Sequence, residues 1–176
     1  ALDDLKKQSN HPALRGVEGL FRGLVLGSLD RPLEAIDAYS QALEAGGGYS
    51  PLEANVCLML SQELWATGNR QRGLEMSRRG FALSRKGSVF LSAALFRVIL
   101  VRQLLEVGQR PEALQLLEEG LADAKDNLHP IYLILRGQTL KSAEDLHRGL
   151  DTAVQDFTRN EAYLALQKLE PEKDWL

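Results

Sequence analysis

Residues 31–42 read RPLEAIDAYSQA, and residues 110–120 read RPEALQLLEEG. Both stretches open with Arg-Pro and then place small residues seven positions apart, at Ala35 and Ala42 and at Ala113 and Gly120. Seven residues make about two helical turns, so the members of each pair share one face of a helix. A glycine inside a helix costs about 1 kcal/mol relative to alanine. Such residues therefore indicate close packing against a neighbouring helix.

The stretch between them has the same spacing, and the rest of the chain is helical in character. Gly73 and Gly80 are again seven residues apart. Ala, Leu, Glu, Gln and Arg are frequent, and apolar residues recur at intervals of three and four, whereas sustained strand alternation is absent. Glycine and proline mark the interruptions. The pattern predicts helices over residues 12–28, 32–45, 51–66, 70–85, 88–106, 111–125, 130–146 and 150–169.

The starts of these helices repeat along the chain. Pro12, Pro51 and Pro130 stand in first turns, where the missing N–H costs nothing. Turns at 30–32, 68–70 and 108–110, and a weaker one at 147–149, precede the alternate helices. A fixed period in an all-helical chain is typical of stacked repeats. We expect an N-terminal extension over 1–11, a repeat domain over 12–170 with units 12–47, 50–86, 88–126 and 129–170, and a tail over 171–176.

These small residues and turns resemble those of the tetratricopeptide repeat family. The matching residues are Gly23, Ala35, Tyr39 and Ala42 in the first unit, Ser61, Gly68, Gly73, Ser77 and Gly80 in the second, Val101, Gly108, Ala113, Leu117 and Gly120 in the third, and Gly137, Gly149 and Ala153 in a degenerate fourth. The units are longer than the family's period of about 34 residues. In length they are closer to the sensor-region repeats of maltose-activator-like bacterial regulators. The resemblance implies an all-α, right-handed superhelical array of about four antiparallel helix pairs.

The resemblance also implies a binding groove, because the first helices of this family line a concave surface. The stripes that match it are apolar at one end and polar toward Arg102, Gln138 and Lys141. The apolar members could equally be core residues of a tightly wound stack. The candidate partner-binding residues are Asn55, Leu58, Gln62, Trp65, Val98, Arg102, Gln138 and Lys141.

The first predicted helix lacks a polar outer face. Val17, Leu20, Phe21, Val25 and nearby apolar residues cover much of its circumference. End units of a stacked array need polar caps, so we expect a further segment or a second chain to pack there. The chain does not begin with Met, and we interpret it as a fragment of a longer protein. A homo-oligomer formed through this helix is one expectation.

Composition excludes several classes of function. A formal net charge of −3 argues against nucleic acid as a direct partner. The one cysteine, Cys57, cannot form an intrachain disulfide, which favours a cytoplasmic location. No apolar stretch reaches the roughly 20 residues of a membrane span. The three histidines are dispersed and no HExxH, CxxC or Walker-type motif occurs, so we expect no enzyme, cofactor or metal site.

Non-catalytic protein recognition is the function that this pattern favours, with a peptide or helix bound in the groove. One alternative is an effector-sensing and oligomerisation region of a larger transcriptional regulator. A further alternative is a secretion or assembly chaperone. The residues do not identify the partner.

Overall fold

The structure, a computed structural model, describes residues 12–45, 50–86, 93–123, 128–153 and 156–171. Within these ranges it contains nine helices and no strand, which confirms the all-α prediction. The helices are α1 (Pro12–Ser28), α2 (Pro32–Ala45), α3 (Ser50–Ala66), α4 (Arg70–Ser84), α5 (Ala93–Glu106), α6 (Arg110–Ala122), α7 (His129–Leu140), α8 (Ala143–Thr152) and α9 (Asp156–Leu169).

The first four helices agree with prediction to within a residue at each end, and α5 agrees where it is described, whereas α6 ends at Ala122 and the predicted helical residue Asp123 is extended. Residues 88–92 and 124–125, which the sequence assigned to these two helices, lie outside the described residues. So do residues 1–11, predicted as an extension, and 172–176 of the predicted tail.

The chain divides into two compact units, Ala1–Phe96 and Arg97–Leu176, with the boundary inside α5. In the first unit consecutive helices pack together, α1 on α2, α2 on α3 and α3 on α4. One core cluster of this unit is aliphatic apart from one aromatic ring and consists of Leu20, Leu26, Ala35, Ala38, Tyr39, Ala42, Leu52, Val56, Leu60 and Leu64. In the second unit α6 packs on α7, α7 on α8 and α8 on α9. The last three of these helices share a buried cluster of Ile134, Leu146, Ala162 and Leu166. Consecutive packing of this kind fits a helical repeat.

The small residues lie where two helices approach closely, as the spacing predicted. Ala35, Ala42 and Ala113 are buried completely or almost so. A methyl group added at Gly120 would lie 2.6 Å from the ring of Tyr132, and one added at Gly73 would lie 3.1 Å from the carbonyl oxygen of Ser61. Glycine is required at Gly120 because a side chain would overlap a buried ring.

Four helices end in the same turn, which defines the register of the helix pairs. Asp30, Gly68, Gly108 and Lys141 all have positive φ, between 56° and 85°. In each case the N–H of the following residue donates to the carbonyl five residues earlier, as in Asn69 to Leu64 and Gln109 to Leu104, both at 2.8 Å. This is the Schellman pattern of a helix C-terminus.

The predicted fourth turn at 147–149 is wrong, and so are the single helices predicted over 130–146 and 150–169. The break comes at Lys141, and Ser142 starts a new helix by accepting a hydrogen bond from the backbone N–H of Asp145 at 3.3 Å. The cap has the Ser-x-x-Asp spacing of a helix start. Gly149 therefore lies inside α8, where a methyl group would come within 2.7 Å of Ile134.

Candidate functional site

The second unit contains an open cleft of about 530 Å³. It is formed by α7, α8 and α9, and its lining combines aliphatic and charged side chains. The lining residues are Gln138, Lys141, Leu146, Glu161, Leu164, Ala165, Lys168 and Leu169. Two of the predicted partner-binding residues, Gln138 and Lys141, are therefore brought together at one surface.

Close contacts join α7 and α8, which form one wall of this cleft. Gly137 of α7 lies against Leu146 of α8, where an added methyl group would be 2.7 Å from the side chain. Arg136 donates to both carboxylate oxygens of Asp145, at 2.8 and 2.7 Å, and to Glu118 at 2.8 Å. The hydrogen bond with Asp145, above all, raises the pKa of Arg136 further above its ordinary value. The two helices are thus joined by close packing and by a bidentate, charge-assisted pair.

A second ion pair holds the opposite wall. Arg102 of α5 donates to Glu161 of α9, with Nη2 at 2.9 Å from one carboxylate oxygen and 3.3 Å from the other. The Nε of Arg102 is buried and has no hydrogen-bond partner within the described ranges. The predicted site residue Arg102 therefore acts on the cleft through Glu161, whose carboxylate it partly neutralises.

The cleft has an apolar base and a cationic rim. Leu146 is fully buried at its base, while Leu164 remains 48% exposed. Lys141 and Lys168 are exposed and stand among the lining residues. Because Glu161 is paired with Arg102, the two lysine ammonium groups give the rim a net positive charge. The chain as a whole has a formal net charge of −3.

The predicted residues of the first unit are arranged differently. Gln62 is exposed, and Trp65 is half-buried with the guanidinium of Arg70 centred 5.6 Å from its ring. Asn55 is buried and its Nδ2 donates to the backbone carbonyl of Pro51 at 2.6 Å. Its amide is thus used within α3. Gln62 and Trp65 keep surface that a partner could touch.

Leu58 and Val98 are buried with 1% and 6% of their surface exposed. For these two apolar residues the sequence left a groove and a core position open. Their burial places them in the core in this conformation, and they offer almost no surface to a partner.

The sequence analysis proposed no site residue on α9, and so missed the contribution of this helix to the cleft. Glu161, Leu164, Ala165 and Lys168 follow the i, i+3, i+4, i+7 spacing of one helix face. That spacing was available as a signal. The proximity of this α9 face to Gln138 and Lys141 could not be predicted, because it depends on where α8 ends and on how α9 packs back against α8.

Cys57 is buried, and burial raises the pKa of its thiol to about 11, so the thiolate nucleophile is scarce at neutral pH. Within the described ranges, no three His, Cys, Asp or Glu residues are grouped so that they could hold a metal ion. None of the helices seen there has both the length and the apolar character needed to cross a bilayer.

Comparison with protein-family models and with curated proteins finds no match to this chain. The resemblance to tetratricopeptide repeats thus depends on the small residues and turns described above.

Proposed function

We propose that the protein is a non-catalytic protein-recognition module and that the cleft formed by α7, α8 and α9 binds a peptide or helix of its partner. The observation that carries this proposal is the cleft itself, which has a volume of about 530 Å³ and a lining of aliphatic, polar and cationic side chains. Partner helices and peptides commonly place one or two apolar anchors in such a depression and pair their polar groups with its edge.

The composition of the rim indicates the chemistry of the partner. Lys141 and Lys168 are exposed, and Glu161 is paired with Arg102. A segment with an aliphatic anchor flanked by carboxylates complements this surface. Leu164, half exposed beside the base, is the natural contact for the anchor. Charged rims contribute more to association rate and specificity than to affinity.

The tetratricopeptide-type architecture, including its right-handed superhelical arrangement, belongs to the same proposal. It is supported by the consecutive packing of helices within each unit and by the shared turn at Asp30, Gly68, Gly108 and Lys141. A cytoplasmic location is also proposed, because a single cysteine leaves no intrachain disulfide to form.

Selection from a random peptide library displayed on phage, with the full chain as bait, tests the binding proposal. We expect enrichment of peptides that combine Leu, Ile or Phe with Asp and Glu. Anisotropy of a selected labelled peptide should then report saturable binding that weakens as salt is added. Failure to enrich any peptide with saturable binding would contradict the proposal.

A pair of leucine variants shows whether binding is in the cleft. Leu164 and Leu140 are 48% and 53% exposed, but Leu164 lines the cleft and Leu140 does not. Leu164→Gln should weaken peptide binding by roughly tenfold or more, since a buried anchor contact is worth about 1.5 kcal/mol or more. Leu140→Gln, which likewise adds no charge beside Lys141, should leave the affinity unchanged. Equal effects of the two variants would place the peptide elsewhere.

The small-molecule effector alternative has one observation in its favour, the volume of the cleft, which is within the usual 300–1,000 Å³ of ligand sites. The exposed rim favours a peptide instead, because enclosed sites bury most of their ligand. A thermal-shift screen with small organic acids separates the two functions. Stabilisation by one such acid that Leu164→Gln abolishes, without any peptide binder, would favour the effector function.

A further inference from the structure

The outer face of α1 is apolar and exposed. Nine large hydrophobic side chains are exposed among the described residues, and six of them lie between residues 14 and 33. They are Leu14, Phe21, Leu24, Val25, Leu29 and Leu33. Single exposed apolar residues are ordinary on protein surfaces, but a concentration of this kind indicates an interaction site.

Within α1 the exposed residues form a stripe opposite the buried side. Gly16, Leu20, Gly23 and Leu26 are buried on one side of the helix. Leu14, Phe21 and Val25 follow spacings of seven and four, and at 100° per residue they cluster within a narrow arc on the other side. Phe21 is 62% exposed. The helix is therefore apolar on two faces, of which the first unit buries one.

Charged residues run along one edge of this stripe. Glu18 and Arg22 are both exposed and lie one helical turn apart on the same edge. In an antiparallel pair of helices related by a two-fold axis, the same edge of each helix meets its counterpart. Glu18 of one copy then faces Arg22 of the other, and the reverse pair forms at the same time.

The apolar stripe and the charged edge both predict a two-fold axis at the same position along α1. The sequence midpoint between Leu14 and Val25 and the midpoint between Glu18 and Arg22 both fall beside residue 20. A two-fold axis there would place Leu14 against Val25 of the second copy. It would also bring the two Phe21 side chains together near the centre. The exposed face of α1 is thus self-complementary both in the spacing of its apolar residues and in its charge.

From this self-complementarity we infer that α1 is a homodimer interface, occupied by α1 of a second copy in antiparallel orientation. The interface uses a different surface from the cleft in the second unit, so it stands or falls independently of the proposed function. A dimer would present two clefts to a partner.

Sedimentation equilibrium of the full chain over a concentration series tests the interface. We expect a monomer–dimer equilibrium in the unmodified chain. Phe21→Glu should abolish the dimer, whereas Val107→Glu, at an exposed apolar residue outside α1, should leave it intact. Circular dichroism should show unchanged helicity for both, since both side chains are exposed.

Charge reversal tests the antiparallel register. Glu18→Arg alone should weaken the dimer by roughly tenfold, because two attractive pairs become repulsive. Arg22→Glu alone should do the same. The double variant E18R/R22E restores both pairs and should recover dimerisation to near the starting value. Recovery is a result that a merely destabilised fold cannot give.

Three results would overturn the inference. The first is an unmodified chain that stays monomeric up to its solubility limit, which would leave the face to another segment or protein. The second is a dimer that survives Phe21→Glu. The third is a double reversal that remains as weak as the single ones.

Discussion

Asp30 and Lys141 occupy the same left-handed backbone position at the ends of α1 and α7, with φ of 57° and 56°. The equivalent positions after α3 and α5 are Gly68 and Gly108, with φ of 85° and 79°. A residue with a Cβ is strained in this conformation and glycine is not. The helix pairs therefore share one turn geometry, while only two of the four turns have the residue that suits it best.

Replacing either strained residue by glycine should stabilise the protein. Lys141→Gly and Asp30→Gly should each raise the free energy of unfolding by about 0.5–1 kcal/mol, the relief of strain less the added entropy of the unfolded chain. Urea unfolding followed by circular dichroism measures this. Gly108→Ala should have the opposite sign, since its Cβ would meet no atom within 4 Å and only backbone strain is changed.

Lys141→Gly should have opposite effects on the stability of the protein and on its affinity for an acidic peptide. Lys141 lines the cleft, so its loss should weaken an acidic peptide even as the protein becomes more stable. Asp30 lies in the other unit, and Asp30→Gly should leave peptide affinity unchanged. A gain in peptide affinity for Lys141→Gly would argue against the cationic rim as a determinant.

Gly120→Ala should destabilise the protein by about 1–3 kcal/mol, because the new methyl group would overlap the buried ring of Tyr132 and force the core to shift. Thermal unfolding measures the effect. Helix propensity alone predicts a gain of about 1 kcal/mol for the same change. An increase in stability would therefore show that α6 and α7 are not in such close contact.

The ion pair between Arg136 and Asp145 should contribute more to the free energy of unfolding than the ion pair between Arg136 and Glu118. Arg136→Met leaves a carboxylate whose side chain is only 9% exposed without its partner, and should cost about 3 kcal/mol or more. Glu118→Gln, at a side chain that is 59% exposed, should cost less than about 1 kcal/mol.

A second variant isolates the origin of that cost. Arg136→Met combined with Asp145→Leu removes both charges and should recover most of the lost stability. Equal costs for the Arg136 and Glu118 changes, measured by urea unfolding, would contradict the structure's placement of Asp145.

Glu63 should make stability depend on pH with a definite sign. Burial, and secondly the nearby charge of Asp30, raise the pKa of Glu63 above its ordinary value of 4.5. The folded state then holds a proton that the unfolded state releases, so this group's contribution to stability is lost as pH rises through the raised pKa. Glu63→Gln removes this pH-dependent loss of stability. The free energy of unfolding of the variant, minus that of the unmodified chain, should therefore be larger at neutral pH than below pH 4.5.

A neighbouring glutamate provides the control for this pH effect. Glu75 is exposed on α4, and Glu75→Gln should change stability little because its side chain lies in solvent. Urea unfolding of both variants at the two pH values measures the difference. A Glu63→Gln effect that does not vary with pH would mean that the carboxyl is not perturbed by burial.

Where α1 to α4 begin and end could be predicted from the sequence to within a residue, because those boundaries depend on local dihedral preferences and caps. Gly68 and Gly108 mark their turns directly, and the seven-residue spacings of Gly73, Gly80 and Gly120 predicted close helix contacts that the structure contains. The helix break at Lys141 was not predicted, although the sequence contains a local signal for it. Ser142 and Asp145 carry the spacing of a helix start, but Gly149 suggested a turn where it instead provides a close contact.

The candidate site was less predictable, because exposure depends on neighbours that are distant in sequence. Asn55, Leu58 and Gln62 follow one helical spacing, yet the first two are buried and the third is exposed. Periodicity cannot distinguish these outcomes on α3, where apolar residues occur on several sides.

The sequence by itself determined an all-helical chain of repeated pairs, the positions of most turns and the small residues between helices. These features depend on interactions within a few residues of the chain. The tertiary structure decided that Gln138 and Lys141 share a cleft with Leu164, that Arg102 pairs with Glu161 and that Phe21 is exposed while Leu20 is buried. Those outcomes depend on which helix faces meet, and that choice is made by the combined burial of residues far apart in the chain.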